Sequence, residues 1–288
     1  MKFTTLAVAM LATTSLTTTA SANLSIAGSA RIGVQQAEKT TANAAATTAV
    51  NRVRIEFAGT GSTDAGIEFG ATIRADEAVN GNTGTAGSQW VSGAFGKISM
   101  GDLDGADEIA VGDVTGVGIA GLGDNNELAY QSSGHNLGWQ IETMGFTSAY
   151  SMNTASNSHD DAVGFSYLKE IGAAKVNVGI GRSQIGNATQ TSLGAAVTMR
   201  GINAQIAQSE DDNGTAANVE EIAVSLSYSL SALTGTVFQK DVATVGSADK
   251  SYTGFGVEYD LGGATAKVGV MNDDANRQWI DAGISFSF

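Results

Sequence analysis

The chain of 288 residues contains no proline and no cysteine. Proline cannot donate a hydrogen bond to a β-ladder, so its complete absence favours a chain that is mostly strand. The absence of cysteine excludes disulfide bonds and thiolate chemistry but leaves the cellular compartment open. The sequence also lacks an apolar run of about 18 residues, the length that a membrane-spanning helix requires. A helical membrane protein and a disulfide-stabilised domain are therefore both excluded.

Basic residues and histidines are scarce. The chain has 15 Lys and Arg residues against 29 Asp and Glu residues, and its net charge of −14 argues against nucleic acid as a partner. The two histidines, His135 and His159, fall in a predicted tight turn and a predicted outer loop, at opposite rims. We therefore predict no Ser-His-Asp set, no metal cluster and no enzymatic activity.

The first 22 residues have the features of a targeting segment. A lysine follows the initial methionine, residues 3–16 are apolar and threonine-rich without an acidic residue, and Ala-Ser-Ala at 20–22 has the form of a cleavage site. A short buried helix is the alternative interpretation. We predict that residues 1–22 are a bacterial signal peptide and that residues 23–288 form one mature domain.

The last strand-like segment, residues 280–288, places Ile, Ala and Phe on one face and Asp, Gly and Ser on the other. Such a strand suits a sheet that has lipid on its apolar side. The same alternation is clear in residues 176–180, 222–228 and 264–270. The mean hydropathy of +0.01 is normal for a barrel that exposes every second residue to lipid. The pattern predicts an all-β, transmembrane, antiparallel up-and-down barrel.

We predict about sixteen strands, mostly of the 9–11 residues that a tilted membrane strand needs. Five precede residue 101. The other eleven are predicted near 127–134, 137–152, 161–170, 173–182, 189–199, 201–209, 219–229, 231–240, 250–260, 263–271 and 276–288. Connections after odd strands tend to be long and those after even strands tight, as in transmembrane barrels. Aromatic residues near the tight-turn ends of strands predict an interfacial girdle, although strands are enriched in aromatics anyway.

The interruption at residues 102–126 is too long for a hairpin and too apolar in patches for a free outer loop. We predict that it folds into the lumen as the third outer loop, with apolar residues on the wall and carboxylates facing water. The predicted acidic residues of this constriction are Asp102, Asp104, Asp107, Glu108 and Asp113.

Four arginines have the inward parity of the first three strands and should cluster on one arc of the wall. An acidic loop opposite a basic arc sets a transverse field that orients dipolar solutes and disfavours apolar ones. The alternative is that the arginines only pair with Glu56, Glu68 and Asp76 within the wall. The predicted basic residues of the constriction are Arg31, Arg52, Arg54 and Arg74.

Two motif-like stretches lie in the same loop. Asp102, Asp104, Asp107 and Glu108 resemble part of a calcium loop, but the spacing and terminal glutamate of an EF-hand are missing. We expect no cofactor, with a loosely held calcium ion at these four residues as the alternative. Residues 116–121 match G-x-G-x-x-G without the flanking strand and helix of a dinucleotide site, so we interpret them as loop glycines.

Residues 64–71, 92–102 and 259–263, together with the C-terminal Phe-Ser-Phe, resemble general porins of the alphaproteobacterial, Rhodobacter-like type. The stretch 92–102 is the most specific. The resemblance implies a sixteen-stranded barrel, a homotrimer, an internal third loop, and passive diffusion of ions and small hydrophilic solutes across the outer membrane. It also favours bound calcium and makes Phe288 an assembly signal.

The leading hypothesis is thus a water-filled outer-membrane channel in contact with lipid, since sixteen strands leave a lumen wide enough for water. The alternatives are an outer-membrane barrel with a structural or adhesive role, or a barrel hydrolase. A hydrolase needs a nucleophile and a base near one rim, which the predicted histidine positions do not supply.

We expect the mature protein to begin at Asn23, because signal peptidase cleaves after the small-x-small pattern. Intact-mass measurement of protein from outer membranes checks this. An Ala22→Lys variant should retain the precursor mass, and a wild-type mature chain that keeps Met1 would contradict the prediction.

Overall fold

The computed structural model describes residues 23–39, 47–79, 83–156, 159–213 and 218–288, so the predicted signal peptide lies outside the described residues. Within these ranges, sixteen antiparallel strands form one closed barrel in which sequence neighbours pair and the last strand pairs with the first. The prediction of an up-and-down barrel of about sixteen strands is confirmed. The strands are β1 (Asn23–Lys39), β2 (Thr47–Ser62), β3 (Glu68–Val79), β4 (Gly84–Gly93), β5 (Gly96–Gly101), β6 (Leu137–Thr143), β7 (Phe146–Met152), β8 (Asp160–Ile171), β9 (Ala174–Ile185), β10 (Ala188–Met199), β11 (Ile202–Asp212), β12 (Val219–Leu230), β13 (Leu233–Thr244), β14 (Lys250–Asp260), β15 (Ala264–Asp273) and β16 (Gln278–Ser287).

Alternation along the strands turns large apolar side chains outward. In β12, Ile222, Val224 and Leu226 are exposed on the outer face, whereas Ala223 and Ser225 are buried inside. Apolar exposure on this scale is not found on a protein that faces only water, but lipid covers it without cost. The barrel therefore has an apolar outside and a polar inside.

The first and last strands close the barrel. Their register runs from Ser29 opposite Ser287 to Gln35 opposite Asp281. Gly28 and Phe288 exchange two backbone hydrogen bonds of 2.7 and 2.9 Å, and the Phe288 ring covers Gly28 so closely that a Cβ there would overlap it. None of the sixteen described strands is left without a neighbour on either side, as a sheet in hydrocarbon requires.

The even-numbered connections are tight turns. Met144 and Gly145, between β6 and β7, both have positive φ (52° and 86°), as do Arg200 and Gly201 between β10 and β11 (49° and 84°). Positive φ at both central residues is the type I′ geometry that matches the twist of a hairpin. Most odd-numbered connections are longer, but the one between β9 and β10 spans only residues 186–187.

Two predicted strands are wrong. Residues 127–134 form no strand and belong to the connection after β5, and residues 137–152 form two strands, β6 and β7. Leu128 and Tyr130 are buried while their neighbours are exposed, so residues packed against the wall imitate the period of a strand. The two errors cancel in the strand count.

Aromatic side chains gather on the outer face at the tight-turn rim. Phe57 and Tyr228 are exposed there, and Phe146 stacks on Tyr167 with ring centroids 4.3 Å apart. The indole of Trp139 donates to the carbonyl of Phe95 across 2.8 Å. These positions fit an interfacial girdle. Among the described residues, the two helical segments are too short to cross a membrane.

Deleting Phe288 should lower the amount of assembled barrel in the outer membrane, because the deletion removes the last pair of hydrogen bonds that closes the sheet and the ring over Gly28. Heat-modifiable gel migration of outer-membrane fractions measures assembly. A Phe288→Tyr variant keeps the ring and the backbone and should assemble normally. Normal assembly after the deletion would show that Phe288 is not needed for insertion.

Candidate functional site

The connection between β5 and β6 folds into the barrel, as predicted for a third outer loop. It covers residues 102–136, ten more than the predicted 102–126, and we call it the pore loop. It contains one helix, α1 (Ala106–Val111), and it lies along the inner wall from β7 round to β1. Its buried apolar residues include Val114, Val117, Ile119, Leu122 and Leu128.

Glycines in the wall make room for α1. Gly164 on β8 lies against the carbonyl oxygen of Ala106, and Gly179 on β9 lies against that of Ala110. A Cβ at either glycine would overlap the helix backbone. Both glycines occupy inward positions of strands whose outward side chains are mostly large and apolar. The space for α1 therefore comes from small residues at inward positions of these strands.

A buried hydrogen-bonded chain holds the two ends of the pore loop together. The Ala106 N–H donates to Ser151 Oγ (2.8 Å), Ser151 Oγ lies 2.7 Å from His135 Nδ1, and His135 Nε2 lies 2.9 Å from an Asp160 oxygen. His135 is buried inside the barrel, where its N–H closes a turn of the pore loop on the carbonyl of Ser132 (3.1 Å). It does not lie in the predicted tight turn between two strands at the rim. The prediction that no Ser-His-Asp set exists is wrong in geometry. Ser151 is 1% exposed and accepts the N–H of Ala106, so the set anchors the start of the pore loop to the wall.

The middle of the pore loop is bonded to β11 and β12. The N–H of Thr115 donates to Gln205 Oε1 (2.9 Å) and to Ser225 Oγ (3.1 Å). Beside these bonds, Val114 and Tyr130 pack on small wall residues such as Ala207 and Ala223.

The returning half of the loop is held by a buried ion pair. Lys240 Nζ and Glu221 Oε1 are 3.1 Å apart, and both side chains are less than 10% exposed. Each partner also bonds the loop backbone: Lys240 donates to the carbonyl of Glu127, and Glu221 accepts from the N–H of Ala129 (2.7 Å). Two charges in a buried site are stable only when such additional bonds complete their coordination.

The glycine-rich tip of the loop is fastened to β16 and β1. Asp281 is 1% exposed and accepts the N–H groups of Ile119 (2.9 Å) and Ala120 (2.7 Å). Arg31 donates through Nη1 to the carbonyl of Ile119 (3.0 Å). Gly118 has φ of +84° and its α-carbon touches the wall at Gly269. The glycines of the G-x-G-x-x-G match therefore allow the loop backbone to lie against the backbone of the wall. The backbone N–H groups here bind the carboxylate of Asp281, whereas those of a nucleotide-binding loop bind a phosphate.

The predicted acidic residues separate into three groups by exposure. Asp102 and Asp104 are exposed to the lumen, where they line a cavity of about 410 Å³ together with Arg74 and Lys97. Asp107 does not face the lumen as predicted: it is fully buried, hydrogen-bonded to Ser132, and lies against the wall at Gly181.

The other two acidic residues are half-buried on the loop. Burial, and then the charges of Asp104 and Asp113, raise the pKa of Glu108 to about 7. Burial also raises the pKa of Asp113, while the Leu128 N–H that it accepts across 2.9 Å acts in the opposite direction. The charge of Glu108 therefore changes near neutral pH.

No three Asp, Glu or His side chains are arranged to hold a metal ion in the part of the chain that the structure describes. Of the four candidate calcium ligands, Asp107 is turned into the wall while Asp102 and Asp104 face the lumen. Calcium binding at Asp102, Asp104, Asp107 and Glu108 stays a prediction, and these four side chains are not gathered around one point.

The wall arginines differ in their partners. Arg54 forms a bidentate pair with Asp76, with both N–O distances 2.8 Å, and Arg74 Nε lies 3.5 Å from the same carboxylate. Arg31 is bonded to the loop tip. Among the described residues, no carboxylate lies within 4 Å of Arg52. Pairing within the wall therefore accounts for Arg54 and Arg74 but not for Arg31 and Arg52.

Sequence reasoning missed Lys97, although it lies in the stretch 92–102 that carries the family resemblance. It points inward from β5, lines the same cavity as Asp102 and Asp104, and its ammonium lies 5.3 Å from the centre of the Trp90 ring. Strand parity contained the signal, because Lys97 is opposite the inward Ser92 in the β4–β5 hairpin.

An Asp281→Ala variant should free the tip of the pore loop. It leaves two buried N–H groups without an acceptor, which costs roughly 2–4 kcal/mol locally. We expect hydrogen exchange at Ile119 and Ala120 to accelerate at least about tenfold while the strands keep their protection. Asp241→Ala on the outward row of β13 is the matched control. Unchanged exchange at the two amides would show that Asp281 does not hold the tip.

Comparison with known proteins supports the family resemblance that the sequence indicates. Residues 6–278 match the Gram-negative porin family. A porin of Rhodobacter capsulatus is 29% identical over 281 residues, which is 83% of this chain and 93% of that protein. A porin structure refined at 1.8 Å resolution has a TM-score of 0.74 at 23% identity, covering 92% of this chain and 100% of that chain. A variant of the Rh. blastica porin has a TM-score of 0.69 at 19% identity, with the same coverage. The chain belongs to the Gram-negative porin family and is a channel-forming β-barrel of the outer membrane.

Proposed function

We propose that ions and small hydrophilic solutes diffuse passively through a constriction between the free edge of the pore loop and the basic side of the wall. The observation that carries this proposal is the shared cavity in which Asp102 and Asp104 of the loop face Arg74 and Lys97 of the wall. Opposite charges on the two sides of a narrow aqueous passage set a transverse field. Such a field favours solutes that can replace ordered water and orient their dipoles.

The charge balance at this constriction favours a weak preference for cations. Asp76 neutralises much of the positive charge of Arg54, and Arg74 lies beside the same carboxylate. Part of the positive charge of the four wall arginines is therefore compensated. Asp102, Asp104 and Glu108 remain on the loop edge. We also propose that three copies assemble in the membrane, as the family resemblance implies. The mass of the detergent-solubilised particle would be that of three mature chains.

Purified protein in planar bilayers should show stepwise conductance, and its reversal potential in a KCl gradient should indicate a weak cation preference. Because the pKa of Glu108 is about 7, its charge is mostly lost at about pH 6 and mostly present at about pH 8. The cation preference should therefore increase over this pH range.

A Glu108→Gln variant should lose this pH dependence and keep its conductance. The matched control is Glu170→Gln at the tight-turn rim, where the carboxylate is exposed and lies 3.4 Å from Lys175. That variant should titrate like the wild type. Equal pH dependence in Glu108→Gln and wild type would place the titrating group elsewhere, and folded protein without conductance would overturn the channel proposal.

A further inference from the structure

A row of inward side chains crosses four neighbouring strands on the basic side of the wall. Thr265 on β15 is opposite Ser285 on β16, Ser285 is opposite Arg31 on β1, and Arg31 is opposite Arg52 on β2. Neighbouring strands are about 4.8 Å apart, so the four residues lie side by side over about 15 Å. Every one of these side chains can donate hydrogen bonds and none is negatively charged. The row is a set of donors that contains no anionic acceptor.

Neither arginine of this row forms a salt bridge with a carboxylate among the described residues, and Asp281 and Asp76 act on Arg31 and Arg52 only from a greater distance. Like charges directly opposite each other in a strand pair destabilise the sheet unless something compensates them. Arg31 uses Nη1 for the carbonyl of Ile119, but its Nε is buried without an acceptor. Arg52, as noted above, has no carboxylate within 4 Å in the described ranges.

The carboxylates nearby have donors of their own. Asp76 takes both of its bonds from Arg54, Glu258 lies 2.8 Å from Lys267, and Asp281 accepts the loop amides. Arg54, by contrast, forms a bidentate pair with the carboxylate of Asp76, and neither Arg31 nor Arg52 has such a partner. An anion bonded directly to Arg31 and Arg52 would therefore have to come from solution.

The row opens into a cavity of about 770 Å³ beside the loop tip, which is also lined by Ser29, Ser287 and Lys267. Two carboxylates line it as well: Glu258 is paired with Lys267, and Asp260 accepts the N–H of Gly262 across 2.8 Å. We propose that Arg31 and Arg52, with the hydroxyls beside them, bind a small oxyanion, a phosphate or a carboxylate, on the wall of the pore. Guanidinium groups match the oxygen spacing of such anions and bind them by charge-assisted pairs of hydrogen bonds. This site rests on the proposed channel function, since the anion reaches it through the lumen.

Single-channel current in KCl at constant ionic strength, with inorganic phosphate added stepwise, tests the proposal. Phosphate should reduce the wild-type current in a saturable way. In Arg52→Gln the half-inhibiting concentration should be higher by roughly tenfold or more, because a charged hydrogen-bond donor is lost. The half-inhibiting concentration of Arg52→Lys should lie between those of the wild type and Arg52→Gln, since lysine keeps the positive charge but lacks the planar guanidinium group. Acetate in place of phosphate shows whether the site takes carboxylates, phosphates or both.

The matched control is Arg182→Gln, which removes one positive charge from the exposed outward row of β9. Its response to phosphate should equal that of the wild type. Equal inhibition of wild type and Arg52→Gln, or an equal weakening in Arg182→Gln, would overturn the proposed site and leave only a general effect of charge.

Phosphorus NMR of inorganic phosphate with the folded protein in detergent measures binding without conductance. Line broadening that Arg52→Lys weakens and Arg182→Gln does not supports the site even if no current is observed, in which case only the channel proposal fails. Stepwise conductance without inhibition and without broadening would retain the channel and exclude the anion site.

Discussion

The bilayer interior offers no water to backbone N–H and C=O groups, and each such group left unpaired costs several kcal/mol. All the main features of this barrel depend on that constraint. It requires β16 to pair with β1, and it brings Phe288 against Gly28 at the seam. It also reverses the usual arrangement of side chains, because the apolar residues must cover the outside and the polar residues are left for the inside.

The pore loop fills part of the interior of the barrel. Its contacts with the wall combine hydrogen bonds, small side chains and apolar clusters such as that of Val114 and Tyr130 with Ala207 and Ala223. Gly164 and Gly179 admit the helix backbone, and Asp281 replaces water at the loop tip. Bonds to the wall hold the loop at its ends, its middle and its tip, so that a segment with only one short helix has a defined position inside the barrel.

Charged side chains in the lumen also differ in whether the protein supplies them with a partner. Where the wall supplies a carboxylate, as Asp76 does for Arg54, the arginine is a structural element. Where it does not, as at Arg52, the charge remains available to solutes. If the channel proposal holds, selectivity depends less on the number of charged residues in the lumen than on how many of them lack a partner within the protein.

Strand parity, a property of local sequence, was sufficient to predict the barrel, its approximate strand number and the inward arginines, because the period of two follows from backbone geometry alone. The internal position of the loop was predicted from its length and its apolar patches. It failed where burial in the loop imitated that period, at Leu128 and Tyr130. Only the tertiary structure decided that Asp107 turns into the wall, that His135 joins Ser151 and Asp160, and which arginines are paired. Those outcomes depend on contacts between residues far apart in the chain, and the position of a side chain relative to a distant partner is not encoded in any local pattern.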